Sequence, residues 1–130
     1  MVGTLKQPSE QPEESPLQKY IRELAELRAL ILYGRNQRKL LLESLDVMER
    51  GLSDIIGGID RLIPIYGTLL SLEQAQVSVI KARKKLLVAA DILEQSLEKS
   101  RPPSRSEKLY DAYDECAAFL LKAKKHLEDI

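Results

Sequence analysis

The sequence predicts an all-α protein: a long antiparallel helical hairpin or coiled coil with a third helix, three to four helices in a bundle. Three observations lead there. Leu, Ala, Lys, Glu and Arg dominate a chain that is 44% hydrophobic and 31% charged, with five Tyr, one Phe and no Trp, a composition of long helices rather than sheets. Apolar residues recur in steps of three and four, and no strand-like alternation of useful length is found. Prolines fall between the periodic segments, where helices start and stop.

Residues 1–14 read as a disordered arm, polar and rich in Pro and Glu, with too little apolar surface to offset the entropy of ordering. A helix start follows. Ser15 suits the N-cap, Pro16 the first helical position, and Gln18 completes the capping-box spacing. Residues 15–130 are then read as one helical interaction domain.

From Leu17 the pattern holds one heptad register. Leu17, Leu24, Ile31, Arg38, Leu45, Leu52 and Ile59 occupy a positions, and Tyr20, Leu27, Gly34, Leu41, Met48, Ile55 and Leu62 occupy d positions. Such a stripe predicts a supercoiled helix or helix pair. An unbroken helix from Leu17 to Leu62 would span roughly 70 Å at 1.5 Å per residue, so part of it is expected to project or to meet a partner. Gly34 and the following "RNQR" offer an alternative, one helix near residues 16–33 and another near 36–56. The continuous or kinked form is favoured because the register survives Gly34. Gly51, Gly57 and Gly58 each cost up to about 1 kcal/mol relative to Ala in a helix interior.

Pro64 is expected to end this helix, since proline disfavours helical backbone before it and has no amide to donate. A second long helix is predicted over residues 65–98, carrying Ile65, Leu69, Leu72, Ala75, Val79, Ala82, Leu86, Ala90, Leu93 and Leu97 on its stripe. Its alanines admit close approach of a neighbour. The stretch "KSRPPSRSE" is a break, with Ser104 to Glu107 at capping-box spacing. A third helix, about residues 105–129, places Leu109, Tyr113, Cys116, Leu120, Ala123 and Leu127 on one stripe.

The segment "LIPIYGTLLSLEQAQVSVIKARKKLLVAADIL" resembles the N-terminal coiled-coil region of the seventy-kilodalton subunit of the exocyst, the vesicle-tethering complex. Leu62, Ile63, Pro64, Ile65, Tyr66, Leu72, Gln76, Val79 and Lys81 carry the likeness. "LLLESLDVMERGLSDIIGGIDRL" is similar to that family's long first helix, and "EKLYDAYDECAAFLLKAKKHLED" to a later acidic, Tyr-containing helix start. The resemblance spans roughly residues 20–128. It implies a role in assembling subunits for exocytosis. The long rod that carries the family's phosphoinositide-binding patch has no counterpart before Ile130, so lipid binding by that route is not implied.

Charge and chemistry narrow the function classes. Lys plus Arg balance Asp plus Glu at 20 each, so no long-range field toward nucleic acid is expected. A single cysteine, Cys116, excludes an internal disulfide and suits a reducing compartment. With no signal-peptide pattern in the first 16 residues and no long uncharged apolar window, a cytoplasmic location is expected. His126 has no second His or Cys at ligand spacing, and with Lys124 and Lys125 it reads as a cation complementing the helix C-terminus. Asp111 and Asp114 read as an exposed acidic patch favoured by the helix N-terminus. There is no Glu-x-x-His pair, nucleotide loop or serine-hydrolase motif. No cofactor, metal or catalytic residue is therefore assigned, and an enzyme is not expected.

The expected function is a non-enzymatic protein–protein interaction module. The partner-binding stripe is assigned to Leu24, Leu27, Ile31, Arg38, Leu41, Leu45, Met48, Leu52, Ile55, Leu69, Leu72, Val79 and Leu86, with Arg38 and Gln76 as polar exceptions setting register. The basic run Lys81, Arg83, Lys84 and Lys85, read mainly as a solvated face, is the candidate contact for an anionic partner, and with residues 122–125 it would serve peripheral membrane binding. The partners expected are other helical subunits or a second copy. A self-contained bundle acting as an adapter is the alternative.

Overall fold

In the computed structural model the described residues are 15–31, 34–66, 70–98 and 106–128, with side chains described for all of these but 34–38, 66, 97 and 98. The predicted arm, residues 1–14, lies outside them. Four helices are present among the described residues: α1 (Pro16–Leu30), α2 (Gly34–Tyr66), α3 (Leu70–Glu98) and α4 (Glu107–Glu128). No strand occurs among the described residues.

The start of α1 follows from its sequence. Ser15 is extended, Pro16 occupies the first turn, and the Ser15 hydroxyl accepts the Gln18 amide at 3.2 Å, satisfying one of the amides a helix start leaves unpaired. The cap of α4 lies two residues beyond the predicted one. Ser106, not Ser104, accepts the Leu109 amide at 3.2 Å, so the helix begins at Glu107 rather than near residue 105.

Two expectations are corrected. The heptad stripe does not run through one continuous rod, because α1 ends at Leu30 and α2 begins at Gly34. A rod would leave its apolar stripe in water. Folded back, Leu24, Leu27 and Ile31 enter the same core as Leu41, Leu45 and Met48, and that burial outweighs the unbroken backbone ladder. Pro64 does not stop α2 or start α3. It sits inside α2, which continues to Tyr66. Only two helical residues follow it, so its missing amide removes one hydrogen bond in a last turn that would fray anyway. Ile65 belongs to α2, and α3 begins five residues later than predicted.

The cross-helix contacts fix the topology. Tyr20 packs on Gly51; Glu49 pairs with Arg83 and Asp60 with Gln76; Lys85 pairs with Glu115; Arg28 pairs with Asp114. Successive contacts run in opposite senses along neighbours: Tyr20 with Gly51 but Leu27 near Leu40, Glu49 with Arg83 but Asp60 with Gln76, and Lys81 with Phe119 but Lys85 with Glu115. The bundle is therefore up-down-up-down, and α4 returns beside α1 to close the ring. The α3–α4 contact is the most extensive and the α1–α2 contact the slightest. Leu24, Ile31, Leu45, Leu52, Leu86, Leu93, Leu109, Tyr113 and Leu120 are among the side chains of one continuous core. Ile59, Leu72 and Ala75 are also buried, at the α2–α3 end and outside that cluster.

Gly51 lets the tip of the Tyr20 ring close on α2. A Cβ there would lie 1.9 Å from the Tyr20 hydroxyl oxygen and 2.7 Å from its Cζ. Gly57 and Gly58 face open space, with only the Arg61 guanidinium at 4.0 Å.

Candidate interaction surfaces

The stripe predicted to bind a partner is covered within the monomer. Leu24, Leu27, Ile31, Leu41, Leu45, Met48, Leu52, Leu72, Val79 and Leu86 are all buried, and Ile55 is half-buried. Four antiparallel helices satisfy each other's heptads, so these residues are core and reach a partner only if the bundle opens. The Arg38 side chain and Leu69 lie outside the described residues. Gln76 does act at a helix–helix contact: its amide nitrogen donates to the Ile56 carbonyl at 3.2 Å and to the Asp60 carboxylate at 2.5 Å, pinning α3 against α2.

The basic run divides. Arg83 donates to Glu49 of α2 at 3.1 Å, and Lys85 lies 2.6 Å from Glu115 of α4. Both are internal ties between neighbouring helices. Lys81 and Lys84 are exposed and make no ion pair among the described residues. The Lys81 and Lys122 ammonium groups lie over the Phe119 ring, 5.8 and 5.5 Å from its centroid. Two basic runs distant in sequence thus meet on the outer face of α3 and α4.

Asp114 is tied to α1, accepting from Arg28 at 2.8 and 3.3 Å, while the Arg28 guanidinium lies 4.7 Å from the Tyr110 ring centroid. The first-turn acid of α4 is Glu107, and its last turn carries Lys125 and His126, as the helix dipole favours. No cluster of His, Cys, Asp and Glu able to hold a metal occurs among the described residues. None of the described helices is long and apolar enough to cross a membrane. Cys116 is fully buried, and burial pushes its thiol up to about 12, which suppresses the reactive thiolate. The Tyr113 hydroxyl is buried without a hydrogen-bond partner among the described residues, and its pKa is raised first by that burial and then by Cys116.

Two surfaces lie outside the stripe predicted to bind a partner. Leu40 and Val47 stand out from α2, 48% and 66% exposed. With Leu27 and Ser44 they line an open groove of about 440 Å³ against α1, bordered by Glu23, Glu26 and Glu43. Both fall one heptad apart outside the a/d set, and an apolar residue repeated at such a position was the available signal. The other surface is the α2–α3 end. There Leu62, Ile65 and Leu70 are exposed, Ile65 and Leu70 by 72% and 65%, and Leu70 and Val77 line a second hollow beside His126.

No protein-family model, curated protein or solved structure matches the chain.

Proposed function

We propose that this four-helix bundle is a non-enzymatic protein–protein interaction module, a self-contained adapter that binds through its outer surface rather than through its heptad core. One observation carries the reading. Along α2 the d stripe passes from Leu41 and Met48, fully buried, through half-buried Ile55, to Leu62 at 39% exposure. Tyr20 lies beside Gly51 and α1 starts four residues earlier. By about residue 55, then, α2 has passed the start of α1, and its apolar stripe continues without that neighbour. Leu62, Ile65 and Leu70 together offer an apolar platform in reach of a partner helix.

The resemblance to the exocyst subunit region suggests which helices those are: other subunits of a vesicle-tethering assembly acting in exocytosis, in the cytoplasm. Affinity capture from a cell lysate, read by mass spectrometry, tests this. The wild-type chain is expected to recover helical tethering subunits, and Leu62→Glu/Ile65→Glu to lose them while keeping its helical circular dichroism. Equal recovery by both chains would move the contact elsewhere, and recovery of no such subunit would remove the assignment.

A further inference from the structure

We infer that the bundle associates with further copies of itself head to tail, the basic α3–α4 face of one copy seated on the acidic α1–α2 groove of the next. This goes beyond the adapter reading and uses neither Leu62 nor Ile65.

The two surfaces are complementary in kind. The groove has an apolar floor, Leu40 and Val47, seven residues or about 10 Å apart along α2. Around it stand Glu23, Glu26 and Glu43. Glu43 makes no ion pair among the described residues, and the other two are held only by Lys19 and Arg22 of their own helix, at 3.9 and 3.0 Å. Such exposed pairs on one helix are weakly held and open to exchange. The opposing face carries Val77 and Val88, both about half exposed, with Lys81 and Lys84 between them on α3 and Lys122 beside them on α4. Phe119 gathers the Lys81 and Lys122 ammonium groups to within about 11 Å of each other. That is a concentration of positive charge which no carboxylate among the described residues pairs with.

The topology decides what kind of contact follows. In the ring order α1, α2, α3, α4, the α1–α2 edge and the α3–α4 edge lie on opposite sides. The pairing is therefore heterologous, and it adds copies in a row instead of closing as a two-fold dimer. A net charge of zero leaves no overall repulsion to oppose it.

The test uses the purified chain in analytical ultracentrifugation from micromolar to millimolar concentration. Mass is expected to rise with concentration and to fall back toward the monomer at about 1 M salt, where the screening length is about 3 Å. Glu26→Lys/Glu43→Lys reverses the groove and Lys81→Glu/Lys122→Glu reverses the face. Each variant alone is expected to weaken association about tenfold or more. Mixed in equal amounts they recover it, because each then presents the charge the other lacks. Lys81→Gln/Lys122→Gln gives the same direction of change with less risk to the Phe119 contact, and circular dichroism checks that every variant folds. A wild-type chain that stays monomeric at low salt overturns the inference, as does a mixture that fails to recover. So does a monomer whose Lys81 and Lys122 instead bind phosphatidylserine vesicles or an acidic protein.

Discussion

Replacing Gly57 and Gly58 by alanine should stabilise the protein, and the size of the gain follows from the space around them. Both lie inside α2, where glycine costs about 0.8–1.0 kcal/mol relative to alanine through backbone entropy. A Cβ at either position meets only the Arg61 guanidinium, at 4.0 Å, an ordinary contact with the tip of a flexible side chain. Nothing offsets the gain, so Gly57→Ala/Gly58→Ala should add about 1.5–2 kcal/mol. For a chain of 130 residues that corresponds to roughly 5 °C or more in Tm. Gly51→Ala carries the same intrinsic gain, but its Cβ would fall 1.9 Å from the Tyr20 hydroxyl oxygen. The ring must then swing away, giving up its packing between α1 and α2. Urea unfolding followed by circular dichroism, with an unchanged m-value, reads all three chains. Gly51→Ala is expected to lie at least about 1 kcal/mol below Gly57→Ala or Gly58→Ala made singly. If it matched them, the tight Tyr20 contact would be wrong. If Gly57→Ala/Gly58→Ala lowered stability, the open surface there would be wrong.

Tyr113→Phe removes a buried hydroxyl that no described residue satisfies, so it should raise stability by up to about 1 kcal/mol rather than lower it, again by urea unfolding. Cys116, buried with its thiol pushed from 9.0 to about 12, should resist thiol reagents until the chain unfolds, and labelling should follow unfolding kinetics. Its raised pKa also sets a sign for pH. Above pH 9 the unfolded thiol loses its proton before the folded one, so the unfolded state binds fewer protons. Stability should then fall with a slope approaching about 1.4 kcal/mol per pH unit up to about pH 12, and Cys116→Ala should flatten that fall between pH 9 and 10, before tyrosine ionisation joins it. Arg28→Ala removes the exposed pair with Asp114 and the contact with Tyr110, and should cost about 0.5–1 kcal/mol, with faster hydrogen exchange concentrated in α1.

What the sequence made legible was local or periodic. Ser15, Pro16 and Gln18 announced the first cap because capping depends on neighbours within one turn. The a and d sets named most of the core: every described a residue is buried, while among the d residues Tyr20 and Ile55 are half-buried and Leu62 is exposed. Periodicity is silent on which helix covers a stripe, and here that decided the candidate site. The same Leu41 and Met48 that would suit a partner's helix are covered by the chain itself. Gly34 illustrates the same limit, since the register passes through it whether the backbone continues or reverses. Pro64 misled for a different reason. Proline's cost depends on how much helix follows it, and two residues make that cost small. The pairing of Lys81 with Lys122 over Phe119 joins segments some forty residues apart, and only the antiparallel return of α4 reveals it.

The slight contact between α1 and α2 has a consequence of its own. The shortest helix is tied by Arg28 to α4, and it meets α2 through Tyr20 at Gly51 and through Leu24, Leu27 and Ile31 in the shared core. Of the four rods it is the one a tug or a thermal fluctuation would peel away first, and with it would go one bank of the channel holding Leu40 and Val47.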